Sequence, residues 1–397
     1  MNNKIRNFFI IGGFCLFLLI ALAAGLLREK ESYSYYENRN LADKPVLTAE
    51  NVLSGAYFTA LDAYLTDQAP GRNTLLKLDT FLNLRVLHRP VVNQVVVGED
   101  ILLPFNSYDM FDMDAIPQNV EAMVENLVSV RDAAASVGAV YYYVAVPCQY
   151  AYFQEAYPWY LNSNAAYSEA SRAALRDALE QVGVGYLDIG EVFAAMGSPR
   201  ELGSTVDNHY PLYGGFLACR AVLDRVNADT GLHIPVLEES EVTFTELPNR
   251  YLGSRNRKLL GLWTNDEKLT YMTYARSVPF RRWNNGVEVE GSVYAWPASP
   301  WEDVTYSFYM GGDIARTVID TGRDELPRIL IYGDSFTNAM ECVLYLSFHE
   351  MCSLDLRYYT EKTLEQVIGE FEPDVVICVR DYEALLSPFG NGKGARE

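Results

Sequence analysis

Two short segments hold residues whose types and spacing suit nucleophilic chemistry. The first is Leu330-Ile331-Tyr332-Gly333-Asp334-Ser335-Phe336, where an apolar strand runs into a Gly-Asp-Ser turn ahead of a helical stretch. Gly333 permits tight backbone geometry before the serine, and the free N–H groups of a helix start suit an oxyanion. The same serine also suits an ordinary helix N-cap, and the tripeptide alone does not choose between the two. A serine nucleophile needs a base, and the base needs a group to orient it. The chain has four histidines to supply one: His88, His209, His233 and His349. His209 lies in Val206-Asp207-Asn208-His209-Tyr210-Pro211, with Asp207 two residues upstream. On a loop that carboxylate reaches the imidazole and fixes its tautomer; a polar loop with a capping Asp is the plainer alternative. His88 reads as a surface residue and His233 as loop or core. His349 follows a hydrophobic helix and is a second candidate for the site, with Glu350 as its adjacent carboxylate.

These residues need a scaffold that brings two distant loops together. From about residue 115 helical and strand patterns alternate: helix 120–137, strand 139–146 stopped by Pro147, helix 165–182, strand 184–187 with Asp188 at its end, and helix 212–226. After residue 310 the alternation resumes with strand 328–332, a helix from about Ala339, strand 353–356, helix 364–371 and strand 375–379. Strands alternating with helices predict a parallel sheet covered on both faces, and such sheets bind ligands at the carboxyl ends of their strands. Residues 94–103 predict strand, turn, strand, with Gly98-Glu99-Asp100 as the turn. Residues 57–65 have helical spacing. The stretch from about 240 to 310 is rich in Thr, Trp, Tyr and Asn and predicts a β-rich insertion or lid. Its Trp263, Trp283, Trp296 and Trp301 suit either sugar stacking or packing of the insertion itself.

Composition narrows the function. The chain has 397 residues, a formal net charge of −20 and 28 tyrosines. Such acidity repels phosphates, which excludes nucleic acid as a partner and favours neutral or cationic glycans over anionic ones. Surplus Tyr suits sheet surfaces and sugar-binding grooves alike. Of the six cysteines (15, 148, 219, 342, 352 and 378), most have apolar neighbours and read as core residues. Cys342 and Cys352 are the pair considered for a disulfide. No Cys/His spacing implies a metal, and no cofactor is implied.

Phe8–Leu27 is a run of twenty residues without a charge, which as a helix spans about 30 Å, the hydrocarbon thickness. Lys4 and Arg6 precede it and place the N-terminus in the cytoplasm; Arg28 and Lys30 dilute that bias. A cleaved signal peptide, with Ala21-Leu22-Ala23 as the site, is the alternative. Under either reading the remaining chain is exported. The expected organisation is a cytoplasmic segment 1–7, a signal-anchor 8–27, a helical linker region 28–90 and one domain over 91–390.

Taken in order, several pieces resemble the DHHW proteins of the SGNH hydrolase-like superfamily, which includes alginate O-acetylation proteins. They are Glu37-Asn38-Arg39-Asn40-Leu41-Ala42 with Pro45, Asp67 to Arg72, Val97 to Leu103, Val146-Pro147, Asp207-Asn208-His209-Tyr210, Tyr309-Met310-Gly311-Gly312, Gly333-Asp334-Ser335-Phe336, and Leu354-Asp355-Leu356-Arg357-Tyr358-Tyr359. The resemblance implies a flavodoxin-like three-layer α/β/α fold with a central parallel sheet. It also implies an Asp-x-His element before the Ser, a circularly permuted order relative to ordinary SGNH hydrolases. It implies Ser335 as nucleophile, His209 as base and then acid, and Asp207 as its orienter, with Gly333, Asp334, Asn338, Tyr210 and Arg357 as oxyanion or substrate residues. The activity implied is serine-dependent O-acetyl transfer to, or removal from, a cell-envelope or exported polysaccharide, beside a membrane-bound O-acyltransferase as donor. A non-catalytic polysaccharide binding or assembly protein is the alternative. The chain departs from the family in reading Asp-Asn-His-Tyr for Asp-His-His-Trp. It also has Gln149 where a lysine often follows the Val-Pro strand end, so a site cation is expected to be missing.

Overall fold

The computed structural model describes residues 3–27, 29–106 and 111–392, so Arg28, named above as a flanking charge, lies outside the described residues. The chain forms two compact units, one of residues 1–93 with 256–263 and one of 94–255 with 264–397.

The larger unit is built on an eight-stranded sheet. Its strands are β1 (Val140–Val146), β2 (Gly185–Asp188), β3 (Arg281–Asn284), β4 (Val287–Val289), β5 (Arg316–Asp320), β6 (Ile329–Gly333), β7 (Glu350–Asp355) and β8 (Val375–Asp381). Across the sheet they lie in the order β4-β3-β5-β7-β6-β8-β1-β2. The five strands from β7 to β2 are mutually parallel. They have the apolar runs that a sheet covered on both faces demands, and every residue of β6 and β8 is buried. The expected parallel sheet is therefore mixed: β5, β3 and β4 add to the β7 edge antiparallel. The β-rich insertion contributes two of these strands, β3 and β4, as a hairpin whose turn residues Asn285 and Gly286 both have positive φ, 50° and 78°, the turn that Asn-Gly favours. β5 was not anticipated, because Arg316-Thr317-Val318-Ile319-Asp320 is short and flanked by charges.

Helices α1 (Ile116–Ser136), α2 (Ala165–Gln181) and α5 (Leu364–Phe371) pack together on one face, and α3 (Leu212–Thr230) packs with α4 (Thr337–Leu344) on the other. α1 begins four residues before its expected start, with Pro117 in its first turn. α3 runs past Val226 to Gly231, whose φ of 69° ends it. Five tyrosines (Tyr141, Tyr142, Tyr143, Tyr186 and Tyr332) lie in the central sheet, where Tyr141 and Tyr332 stack at 6.5 Å with their hydroxyls 2.7 Å apart. Cys342 and Cys352 are free, and Cys148, Cys219, Cys342, Cys352 and Cys378 are all buried thiols.

The smaller unit holds the apolar helix Asn3–Leu27, long and apolar enough over Ile5–Gly25 to cross a membrane, and the helices Ala56–Asp67 and Arg72–Phe81. Its centre is Asp67. The carboxylate accepts from Arg39 Nη1 at 2.8 Å and Nη2 at 2.5 Å and from the Ala42 N–H at 2.9 Å. The Arg39 bonds hold Asp67 down to about 2 against the opposing pull of burial. Two of the quoted sequence pieces, residues 37–42 and 67–72, thus meet in one ion pair.

α3 and α4 approach closely because Gly215 faces Ala339; a Cβ at 215 would stand 2.9 Å from the Ala339 Cβ and 3.1 Å from its carbonyl carbon. His209 precedes α3 and Ser335 precedes α4, so this contact sets the spacing of the two loops. Gly215→Ala is expected to cost about 1–3 kcal/mol through overpacking, measured by denaturant unfolding. An unchanged midpoint would show that the helices part freely.

Candidate active site

β6 delivers the serine. Gly333 has no room for a side chain, since a Cβ there would stand 2.2 Å from the Val379 carbonyl oxygen of β8. The chain then turns: Asp334 Oδ1 accepts from the Phe336 N–H at 3.0 Å, and Thr337 N donates to Asp334 O at 2.9 Å. Asp334 Oδ2 pairs at 2.8 Å with Arg380, and both residues are buried. Asp334 therefore braces the turn through its ion pair with Arg380. The Ser335 N–H donates to no group among the described residues, which leaves it available to an oxyanion.

His209 Nε2 stands 2.7 Å from Ser335 Oγ, and Nδ1 stands 2.6 Å from Asp207 Oδ1. Asp207 also accepts from the His209 N–H at 3.0 Å and, through Oδ2, from the Ser254 N–H at 2.5 Å. Burial alone would raise the Asp207 pKa, but His209 beside it and these N–H donors hold it down to about 2. An ionised carboxylate only accepts, so Nδ1 carries the ring proton and Nε2 turns its lone pair to the serine hydroxyl. This is the arrangement that activates an alcohol for attack on a carbonyl.

Two aromatic rings pack against the imidazole. The Tyr306 ring stacks on it at 3.9 Å and 6°, and the Phe336 ring approaches it at 4.7 Å, tilted by 48°. Tyr306 is itself buried and set by Tyr309 at 5.0 Å, part of a cluster with Tyr294, Trp296 and Phe308. The aromatic insertion thus seats one ring on His209. Its Trp301 is 92% exposed and Trp296 54% exposed, while Trp263 belongs to the other unit.

The remaining candidates sit around this core. Tyr210 is buried, packs on Phe336 at 5.7 Å and donates its hydroxyl to the Phe336 carbonyl, so it braces the serine turn from behind. Asn338 lines a narrow polar crevice with Asp313, Asp334, Glu341 and Asp355. Arg357 is held by Asp355, at 2.6 Å, and by Asp313, at 3.3 Å, two residues past the end of β7. Neither the Asn338 amide nor the Arg357 guanidinium bonds to a triad side chain among the described residues. His349 lies at the opposite end of β7, beside Asp324 at 3.3 Å and Asp320 at 3.7 Å, and so is placed away from Ser335. His88 and His233 are exposed.

Three contributors escaped the sequence reading. Ser254 and Tyr306 come from the insertion, where dense Thr, Tyr and Asn mask any single residue. Arg380 was findable, since Arg380-Asp381 ends an otherwise apolar strand. A cation is also present behind the loop. Gln149 donates to the Leu102 and Ser204 carbonyls at 2.6 and 2.8 Å, and its Oε1 accepts from buried Arg255 at 3.4 Å. The insertion supplies that charge, not the Val-Pro strand end.

Fold and site together define a mixed α/β domain carrying a Ser-His-Asp array at the carboxyl ends of its parallel strands. No family model and no curated protein matches the chain. Solved structures do. A structure of Bacillus cereus PatB1 with a sulfonyl adduct has 19% identity and a TM-score of 0.62 over 76% of this chain and 97% of its own. A DHHW family protein from Eubacterium siraeum has 18% identity and a TM-score of 0.56 over 75% and 93%. The resemblance read from the sequence therefore has counterparts in fold.

Two predictions follow from the geometry. A ring face against an imidazolium is worth about 0.5–2 kcal/mol, so Tyr306→Leu should slow fluorophosphonate labelling of Ser335 roughly 2- to 30-fold. Tyr306→Phe keeps the ring and should label at the parent rate; equal loss in both would assign the effect to the hydroxyl. Burial, with Asp334 and Glu383 nearby, pushes Asp381 up to about 8. Such a raised carboxyl favours folding below its unfolded pKa and loses that contribution as pH rises toward 8. Asp381→Asn should therefore gain stability over the parent between pH 4 and 8, read from denaturant midpoints; a pH-independent difference would refute the buried protonated carboxyl.

Proposed function

We propose that this domain is an extracytoplasmic serine acyltransferase or esterase that moves O-acetyl groups on a cell-envelope or exported polysaccharide. The observation that supports this reading is the unbroken chain from Asp207 through His209 to Ser335 Oγ, with links of 2.6 and 2.7 Å. Ser335 Oγ attacks the ester carbonyl as its proton passes to His209 Nε2. The Ser335 N–H receives the oxyanion. The C–O bond to the leaving alcohol breaks, and Nε2 returns its proton to that alcohol, leaving an acetyl ester on Ser335. A sugar hydroxyl or water then attacks, gives its proton to Nε2, and the reverse collapse frees Ser335. Transfer and hydrolysis use the same residues and differ in whether water reaches the acyl-serine. The sulfonyl adduct of PatB1 fits a fold that holds a reactive group, and Ser335 is the hydroxyl expected to take one here.

In this reading the helix over Ile5–Gly25 anchors the chain in the cell membrane with its N-terminus cytoplasmic. The anchor keeps the domain beside a membrane-bound O-acyltransferase that supplies acetyl groups. The Asp-x-His-before-Ser order is a circular permutation of ordinary SGNH hydrolases. The exposed Trp301 favours a second reading, glycan binding without catalysis. Acetate release from p-nitrophenyl acetate and from acetylated polysaccharide separates the two. Ser335→Ala, His209→Ala and Asp207→Asn should each lower the rate by roughly four orders of magnitude. Polysaccharide binding with no turnover and no fluorophosphonate label on Ser335 would establish the second reading instead.

A further inference from the structure

Among the described residues, nothing covers one apolar surface of the smaller unit. Helix Arg72–Phe81 continues as a wider π-helical turn over Leu82–Val86. One side faces inward, with Thr80 and Leu84 buried. The opposite side presents Leu75, Leu78, Leu82 and Val86, at helical spacing and 62, 53, 42 and 56% exposed. A stripe of four large aliphatic side chains in water marks a surface built to be covered.

What covers it is indicated by the membrane-spanning helix of the same unit. Gly25, at the end of the apolar span, lies against Pro70: a Cβ there would touch the proline ring at 3.7 Å. The next residues fasten this junction. The Lys30 ammonium lies 5.9 Å from the Tyr64 ring centre, and Glu31 exchanges two hydrogen bonds with the Gln68 side chain, at 2.7 and 3.3 Å. Helix Arg72–Phe81 therefore starts where the span ends, at the depth of the headgroups. Its charge agrees. Residues 73–90 hold Lys77, Arg85 and Arg89 against Asp79, a basic stretch in a chain of net charge −20, and cations flanking an apolar stripe suit anionic lipid.

We propose that residues 72–86 lie in the membrane interface. The Leu75, Leu78, Leu82 and Val86 stripe sinks into the acyl–headgroup boundary of the leaflet from which the span emerges. This rests on the anchor reading of Ile5–Gly25 given above. The span and the interfacial helix then hold the smaller unit at two points, which fixes its tilt as well as its distance from the bilayer.

The full-length protein, reconstituted in phosphatidylcholine–phosphatidylglycerol vesicles, allows the test. Cys15 lies in the span and is the one exposed cysteine; the other five are buried. An NBD fluorophore on Cys15 reports on the anchor alone. In a Cys15→Ser background, Leu78→Cys and Leu82→Cys carry the same fluorophore on the stripe, and Lys77→Cys carries it on the flank. The expected result is blue-shifted emission at 78 and 82 that is quenched by lipids doxyl-labelled near the headgroup, with little quenching at 77. Quenching at Cys15 but water-like emission at 78 and 82 would overturn the interfacial helix while leaving the anchor standing. Blue-shifted emission at 78 and 82 without doxyl quenching would show a protein surface, such as a second copy, covering the stripe, and would also overturn it. A Cys15 left unquenched by lipids doxyl-labelled deep in the acyl chain would remove the anchor and the proposal together.

Discussion

The larger unit is organised around one short hydrogen bond between residues 126 positions apart, His209 Nε2 to Ser335 Oγ at 2.7 Å. Neither partner is held by its own segment alone. Ser335 is set by a glycine that lets β6 lie on Val379 and by a buried Asp334–Arg380 pair. His209 is set by Asp207 at its edge and by the rings of Tyr306 and Phe336 packed against it. The parallel strands, the Gly215 contact between α3 and α4 and the insertion all converge on that distance. An error of 1 Å anywhere in this set is felt at the bond, because reacting groups tolerate little misplacement.

Much of this was legible in the sequence, and the reasons differ by element. The buried strands read clearly because burial on both faces imposes continuous apolar runs, as in Val375–Val379. The Asp207, His209 and Ser335 set was legible because few histidines compete and only one has a carboxylate two residues away. Two helix starts drifted, α4 by two residues and α1 by four, whereas α2, α3 and α5 begin where expected; the α1 start at Ile116 rests on Pro117 rather than on apolar spacing. The insertion resisted reading because its order comes from tertiary aromatic packing, which has no period along the chain. Ser254 binds Asp207 through a backbone N–H, a role every residue type but proline can fill, so no residue signal marks it.

The insertion changes meaning between sequence and structure. Read as a string of Trp and Tyr, it suggests a surface for sugars. In the fold, much of its aromatic content is internal, and the cluster of Tyr294, Trp296, Phe308 and Tyr309 carries Tyr306 to the imidazole. The same segment supplies the Ser254 N–H that satisfies the second oxygen of Asp207. A peripheral elaboration of the sheet thus completes the polar and apolar surroundings of its central residues.

The five buried thiols carry a consequence for where the domain can work. Burial raises all five, Cys352 to about 11 and Cys378 to about 12, so almost no thiolate exists at neutral pH, and the thiolate is the form that oxidises or exchanges. With no disulfide and no reactive thiol in the larger unit, its stability is indifferent to the redox potential around it.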